Sequence, residues 1–222
     1  MPKLLFFLAV AASLLITSLC FKPAVVKATP HARVCILAHG LGEGGDTMTA
    51  IYNYLLTNDL CDPFVLDFAT NDNIINAQAI QEVKTVALSL NPGATVHLIG
   101  ASMGGLSTRY CIKAIAGCQD SLESYISLDT PQYGAYVFCG LSYDEGGQMC
   151  PGSAFLNTLN NGDDTPGGVR YYQLLRFGSL WNDALDGGVS CTSKVYGTTH
   201  IGLMSNPTTL SRIRSNILGN CP

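Results

Sequence analysis

At 222 residues, with 47% hydrophobic and 13% charged residues, the chain is long enough to bury a core without metals or staples and short enough for one domain. Its formal charge of −4 gives it no electrostatic reason to bind nucleic acid or an anionic membrane surface. Nine cysteines point away from a reducing compartment.

The first residues, Met1-Pro2-Lys3, are a basic start to an apolar or small run from Leu4 to Leu19, with Lys22, Pro23 and Lys27 directly after it. That run is too short to cross a bilayer comfortably and reads as a signal peptide over 1–28, cleaved near Cys20 or after Ala28; a retained anchor is the alternative. Loss of Lys3, Lys22 and Lys27 takes the formal charge to about −7. Setting Cys20 aside leaves an even cysteine count, as expected of a secreted, disulfide-bonded protein. Cys111 with Cys118 and Cys139 with Cys150 can close local loops. Cys35, Cys61, Cys191 and Cys221 remain for two longer closures whose pairing stays open. No Cys or His cluster has zinc-ligand spacing, and neither a metal nor a cofactor is expected.

Over 29–222, strands and amphipathic helices alternate, the pattern of an α/β fold with a mostly parallel central sheet and helices on both faces. Arg33–Ala38 is an apolar run suited to a strand covered on both faces. The Gly-rich turn His39–Gly45 follows, with a helix starting near Asp46. Phe64–Phe68 reads as the second strand. Ile75, Ala79, Ile80, Val83, Ala87 and Leu90 recur at helical spacing until Asn91-Pro92-Gly93 stops them. Thr95–Ile99 is a third strand, Met103 to Ala116 a helix, and Tyr125–Leu128 a fourth strand. From Thr130 to Gly168 the only helical pattern is Ala154–Leu159; so long an irregular stretch in a compact domain reads as an active-site flap or cap. Strands at Val169–Leu175 and around Lys194–Tyr196 and a helix over Pro207–Leu218 complete the domain.

The chemistry centres on Gly100-Ala101-Ser102-Met103-Gly104, a G-x-S-x-G between a buried strand and a helix. A sharp turn there lifts the serine hydroxyl clear of the sheet, beside a helix N-terminus suited to an oxyanion. A serine alcohol needs a base to take its proton. Of His31, His39, His97 and His200, only His200 follows Ser102, as the chain order of such a triad requires. His39 reads as a brace of its own loop and His97 as a core histidine. The acid should lie in the loop after the strand at 169–175: Asp186 fits best and Asp183 second. Asp129 comes third, since a turn-capping aspartate explains Leu128-Asp129-Thr130-Pro131 as well. The backbone N–H groups of Leu41 and Met103 are the candidate oxyanion donors. Leu41, Met103, Ile201 and Leu203 offer an apolar lining, or are simply core.

Taken together, A-H-G-L-G (38–42), G-A-S-M-G-G (100–105), S-L-D-T-P-Q-Y-G (127–134), Q-M-C-P-G-S-A-F-L-N-T-L-N (148–160), T-P-G-G-V-R-Y (165–171) and H-I-G-L (200–203) resemble the class 2 lipase family, small secreted, mainly bacterial triacylglycerol lipases. The resemblance spans about 33–217. It implies a minimal α/β-hydrolase and cofactor-free hydrolysis of carboxylic esters of lipids. Asp186-x-x-Val189 matches the family's acid loop better than Asp183 does. Segment 172–185 is longer than usual, and the 130–168 insertion departs from the lidless smallest relatives. The expected partners are a lipid or ester substrate and, transiently, a lipid interface, with the protein a monomer. A thioesterase or acyltransferase on the same triad, or a catalytically dead binding protein on this scaffold, are the rival readings.

Overall fold

The computed structural model describes residues 30–181, 185 and 187–221; the signal peptide expected over 1–28 lies outside them. Six strands form one parallel sheet: β1 (Arg33–Ala38), β2 (Asp62–Val65), β3 (Thr95–Ala101), β4 (Leu122–Leu128), β5 (Arg170–Arg176) and β6 (Val189–Val195), in the order β2-β1-β3-β4-β5-β6. The helices are α1 (Thr49–Thr57), α2 (Asn73–Leu90), α3 (Met103–Ala114), α4 (Ala154–Asn160) and α5 (Pro207–Ile217).

Alternate residues of each central strand feed opposite cores, which is why the strands read as unbroken apolar runs. Cys35, Leu37, Ile99, Ala101, Ile126 and Leu128 pack with Ile51 and Leu55 of α1 and Ile213 and Ile217 of α5. Val34, Ile36, Val96, Leu98 and Tyr125 pack on the other face with Ala77 and Ile80 of α2 and Cys111 and Ile112 of α3. The helix ends carry ordinary chemistry. Asp72 accepts the N–H groups of Ile74 and Ile75 to start α2, and Asn206 does the same for Thr208 and Thr209 ahead of Pro207 in α5.

Several boundaries differ from the sequence reading; β4, for one, begins at Leu122 rather than Tyr125. The strand expected at Phe64–Phe68 is Asp62–Val65, because the Phe68 N–H turns to the His39 ring (2.9 Å) instead of a strand partner. The helix expected near Asp46 begins as a 3-10 turn over Gly45–Met48, and Asp46 lies inside that turn rather than capping it. β6 covers Val189–Val195, longer than the expected 194–196; it is an edge strand whose V-S-C-T-S-K-V alternation hides its length.

The cysteines of the described residues close four disulfides, Cys35–Cys61, Cys111–Cys118, Cys139–Cys150 and Cys191–Cys221. The two local closures are those expected, and the two long ones tie β1 to the start of β2 and β6 to the chain end. Among the described residues no helix is long and apolar enough to cross a membrane.

The segment between β4 and β5 holds three 3-10 turns (Tyr136–Phe138, Tyr143–Glu145, Gly147–Met149) and α4. It packs Met149, Phe155, Leu156 and Leu159 on Met103 and Leu106 of α3. Buried Gln148 accepts from both the backbone and side-chain N–H of Asn73 (2.8 and 2.7 Å) and donates to Asp72 (3.1 Å). One turn apart on α3, Arg109 donates to the Gln132 carbonyl and Asn160, while Lys113 donates to the carbonyls of Leu159, Asn161 and Asp163. The segment is thus a cap docked by its middle and clamped at its far end.

Candidate active site

In an open parallel sheet, ligands bind beyond the carboxyl ends of the strands where the winding reverses. Here the reversal falls between β1 and β3. The loop after β1 carries His39–Gly45, and the turn after β3 is Ser102.

Ser102 has φ +52° and ψ −123°, a strained conformation for a side-chain-bearing residue, and it is held there from both sides. Its N–H donates to the Leu128 carbonyl (2.9 Å), and its own carbonyl accepts from Gly105 N–H (3.0 Å). The turn is possible because its flanks lack side chains. A Cβ on Gly104 would sit 2.3 Å from the His39 carbonyl oxygen, and one on Gly100 would sit 2.6 Å from Gly105 Cα. α3 therefore presses its first turn onto the end of β1.

The two candidate oxyanion donors flank this turn. Met103 is the first residue of α3, so its N–H has no intrahelical acceptor by position. Leu41 follows Gly40, where a Cβ would lie 3.1 Å from Ser102 Cβ, so the loop passes directly beside the serine. His39 braces that loop: its Nδ1 donates to the Gly40 carbonyl (2.9 Å) while Nε2 accepts the Phe68 N–H. Glu43 accepts from Gly40 N–H (3.1 Å) and Thr47 Oγ1 (3.3 Å), a second brace that the sequence reading did not single out.

His200 Nδ1 lies 2.8 Å from Asp129 Oδ2. Asp129 is the third of the carboxylates weighed from the sequence. Asp186 and Asp183, placed first and second from the sequence, lie outside the described residues. Asp129 is wholly buried at the end of β4, with φ +45°. Leu128, the residue before it, is the one that accepts the Ser102 N–H, so serine and aspartate leave adjacent strand ends. Burial works against the charge on Asp129. Hydrogen bonds from His200 and Ser179 and from the Arg176 N–H outweigh it and hold the carboxyl below the usual carboxylate range. The Arg176 backbone N–H (3.2 Å) and Nε (3.3 Å) take one carboxylate oxygen each.

Of the proposed apolar lining, Met103 and Leu203 are core residues, Leu41 is partly buried against the cap's core, and Ile201 is exposed. Tyr136 and Val137 of the cap and Leu180 of the loop after β5 are largely exposed. With Tyr133 and Pro151 they line a cleft of about 410 Å³. His97 is a core residue on Ser124 Oγ (2.7 Å). No group of three or more His, Cys, Asp or Glu side chains among the described residues could hold a metal ion.

No protein-family model matches the sequence, and no curated protein is similar to it. Solved structures do share the fold. Aspergillus fumigatus lipase B superposes with a TM-score of 0.70 at 17% identity, over 86% of this chain and 53% of that one. The mature form of Bacillus licheniformis lipase BlEst2 gives 0.66 at 16% identity, over 85% and 93%. The type II thioesterase BorB of the borrelidin biosynthetic cluster gives 0.55 at 16%, over 86% and 93%. The chain therefore spans about half the length of the Aspergillus enzyme. These likenesses, with the parallel sheet and the strand–serine–helix turn, define the molecule as a minimal α/β-hydrolase fold.

Proposed function

We propose that the protein is a secreted serine hydrolase that cleaves carboxylic esters of lipids through an acyl-enzyme, with Ser102 as nucleophile, His200 as general base and Asp129 as the orienting acid. The observation that carries this reading is the connected geometry: a strained serine whose N–H meets Leu128, and a buried aspartate at the next residue holding the only histidine that follows the serine.

With Nδ1 engaged by Asp129, Nε2 is the ring nitrogen free to take a proton. His200 removes the Ser102 hydroxyl proton as Oγ bonds to the ester carbonyl carbon. The resulting oxyanion is received by the N–H groups of Leu41 and Met103. Collapse breaks the bond to the alcohol, which leaves with the proton from His200. Water then repeats the sequence on the acyl-enzyme, releasing the acid and restoring Ser102. Asp129 stays ionised and keeps the imidazole in the tautomer that can accept.

A lipid substrate is supported by the apolar cleft beside Leu180 and by the acidic net charge, which favours neutral over anionic aggregates. The motifs resembling class 2 lipases support the same reading, with the acid at Asp129 where that resemblance implies Asp186. The four disulfides and the apolar leader support export. A fluorophosphonate probe should label the wild type and not Ser102→Ala. A series of p-nitrophenyl esters, triglyceride emulsions and acyl thioesters should show the highest kcat/KM on oxygen esters. No labelling would overturn the hydrolase reading, and a preference for thioesters would move the assignment to a thioesterase.

A further inference from the structure

Trp181 is the sole tryptophan of the chain and touches three parts of the site at once. Its Nε1–H donates to the backbone carbonyl of Asp129 at 2.9 Å. Its ring meets the His200 imidazole edge to face, with centroids 5.4 Å apart and planes at 88°. It also faces Phe138 of the cap, centroids 6.2 Å apart, beside the Cys139–Cys150 disulfide. Asp129 sits at positive φ without a glycine's freedom, so its backbone needs an outside restraint to stay there. His200 lies in a loop, and a ring packed on its face limits rotation about its side-chain bonds.

We infer that Trp181 is a positioning residue: it pins the backbone of Asp129 and the ring of His200 together, and through Phe138 it couples the cap to that pair. The inference rests on the triad reading above. Among the described residues, the charged groups meeting His200 or its partner are Asp129 and Arg176. Trp181 itself carries no charge, so its effect is geometric.

The test uses the full protein. Protonated imidazole quenches an indole it touches, so the emission of wild-type Trp181 should change across an acidic pH series, and the change should vanish in His200→Gln. An identical titration in His200→Gln would overturn the contact. Trp181→Phe keeps an aromatic ring but loses the hydrogen bond to Asp129. It should lower kcat on a soluble p-nitrophenyl ester about tenfold with KM within about twofold, the split expected when an arrangement needed in the transition state is lost. Trp181→Ala should lower it about 100-fold. Phe138→Ala and Trp181→Phe should combine less than additively, since both break one chain of contacts. Wild-type kcat in a folded Trp181→Phe overturns the positioning role, and full additivity overturns the link to the cap. If Trp181→Ala fails to fold, the phenylalanine variant and the wild-type emission titration still decide the matter. Failure of the fluorophosphonate to label the wild type would fell the hydrolase reading alone, because the emission titration needs no turnover.

Discussion

Asp129 and His97 show how burial sets the behaviour of single side chains. Both lie at zero exposure, yet one keeps its charge and the other sheds it. Asp129 is met by N–H and O–H donors that favour the carboxylate; replacing it with Asn removes the charge that steadies a protonated imidazole and permits the wrong tautomer. Asp129→Asn should therefore lower kcat by about 10³- to 10⁴-fold, whereas Asp183→Asn and Asp186→Asn should stay within about threefold of wild type. Steady-state kinetics on one soluble ester checks all three, and a large loss at Asp186 would return the acid to that loop. At His97, burial outweighs the attraction of Glu123 and drives the ring down to about 4. Between that value and the ordinary 6.5 the unfolded chain binds the proton more readily, so stability should rise with pH across this window and level off above it. The full effect is on the order of 3 kcal/mol. Urea denaturation of His97→Asn from pH 4 to pH 7 should show a flatter dependence than the wild type.

The junction of β3 and α3 is the most exacting joint in the fold. Gly104 faces two backbone carbonyls, those of His39 and Ala38, which cannot move without displacing β1 and the loop bearing Leu41. Gly104→Ala should cost roughly 3 kcal/mol or more and lower activity with stability, measured as a drop in melting temperature and in labelling rate. At Gly105 the obstacle is the buried Thr130 side chain, whose Oγ1, Cγ2 and Cβ would all lie within 3.0 Å of the added carbon, so alanine there should be destabilising as well. The cap depends on a different joint. Gln148 serves the α2 N-terminus and its cap Asp72 at once, and truncating it leaves the buried Asn73 groups unpaired. Gln148→Ala should therefore expose 130–168 to limited proteolysis while the sheet remains intact. Equal cleavage rates in mutant and wild type would count against the docking role.

Across the molecule, two disulfides lie at the sheet, one closes the end of α3 and one lies in the cap. Cys35–Cys61 and Cys191–Cys221 close separations of 26 and 30 residues at opposite ends of the sheet. By chain entropy each contributes about 3 to 4 kcal/mol, against a net stability for a domain of about 5–15 kcal/mol. Reduction should lower the melting temperature by well over 10 °C, and mass spectrometry should find eight thiols blocked before reduction and free after it.

The central strands and α2, α3 and α5 were legible because their signals are periodic or local: unbroken apolar runs, helical spacing, caps and stop residues lie within a few positions of the elements they define. The sharp turn at Ser102 was legible for a related reason, a short motif between a strand and a helix, and chain order is what singled out His200. Which carboxylate meets His200 was not. Asp129 and His200 are 71 residues apart, and they meet because β4, β5 and β6 lie in succession in the sheet and end on one side of it, a neighbourhood that no local pattern encodes. The same holds for Trp181 on Asp129, for Arg109 and Lys113 under the cap, and for the two long disulfides. Each depends on strand order and side-chain reach through space, and packing alone chooses among partners that the linear pattern leaves equivalent.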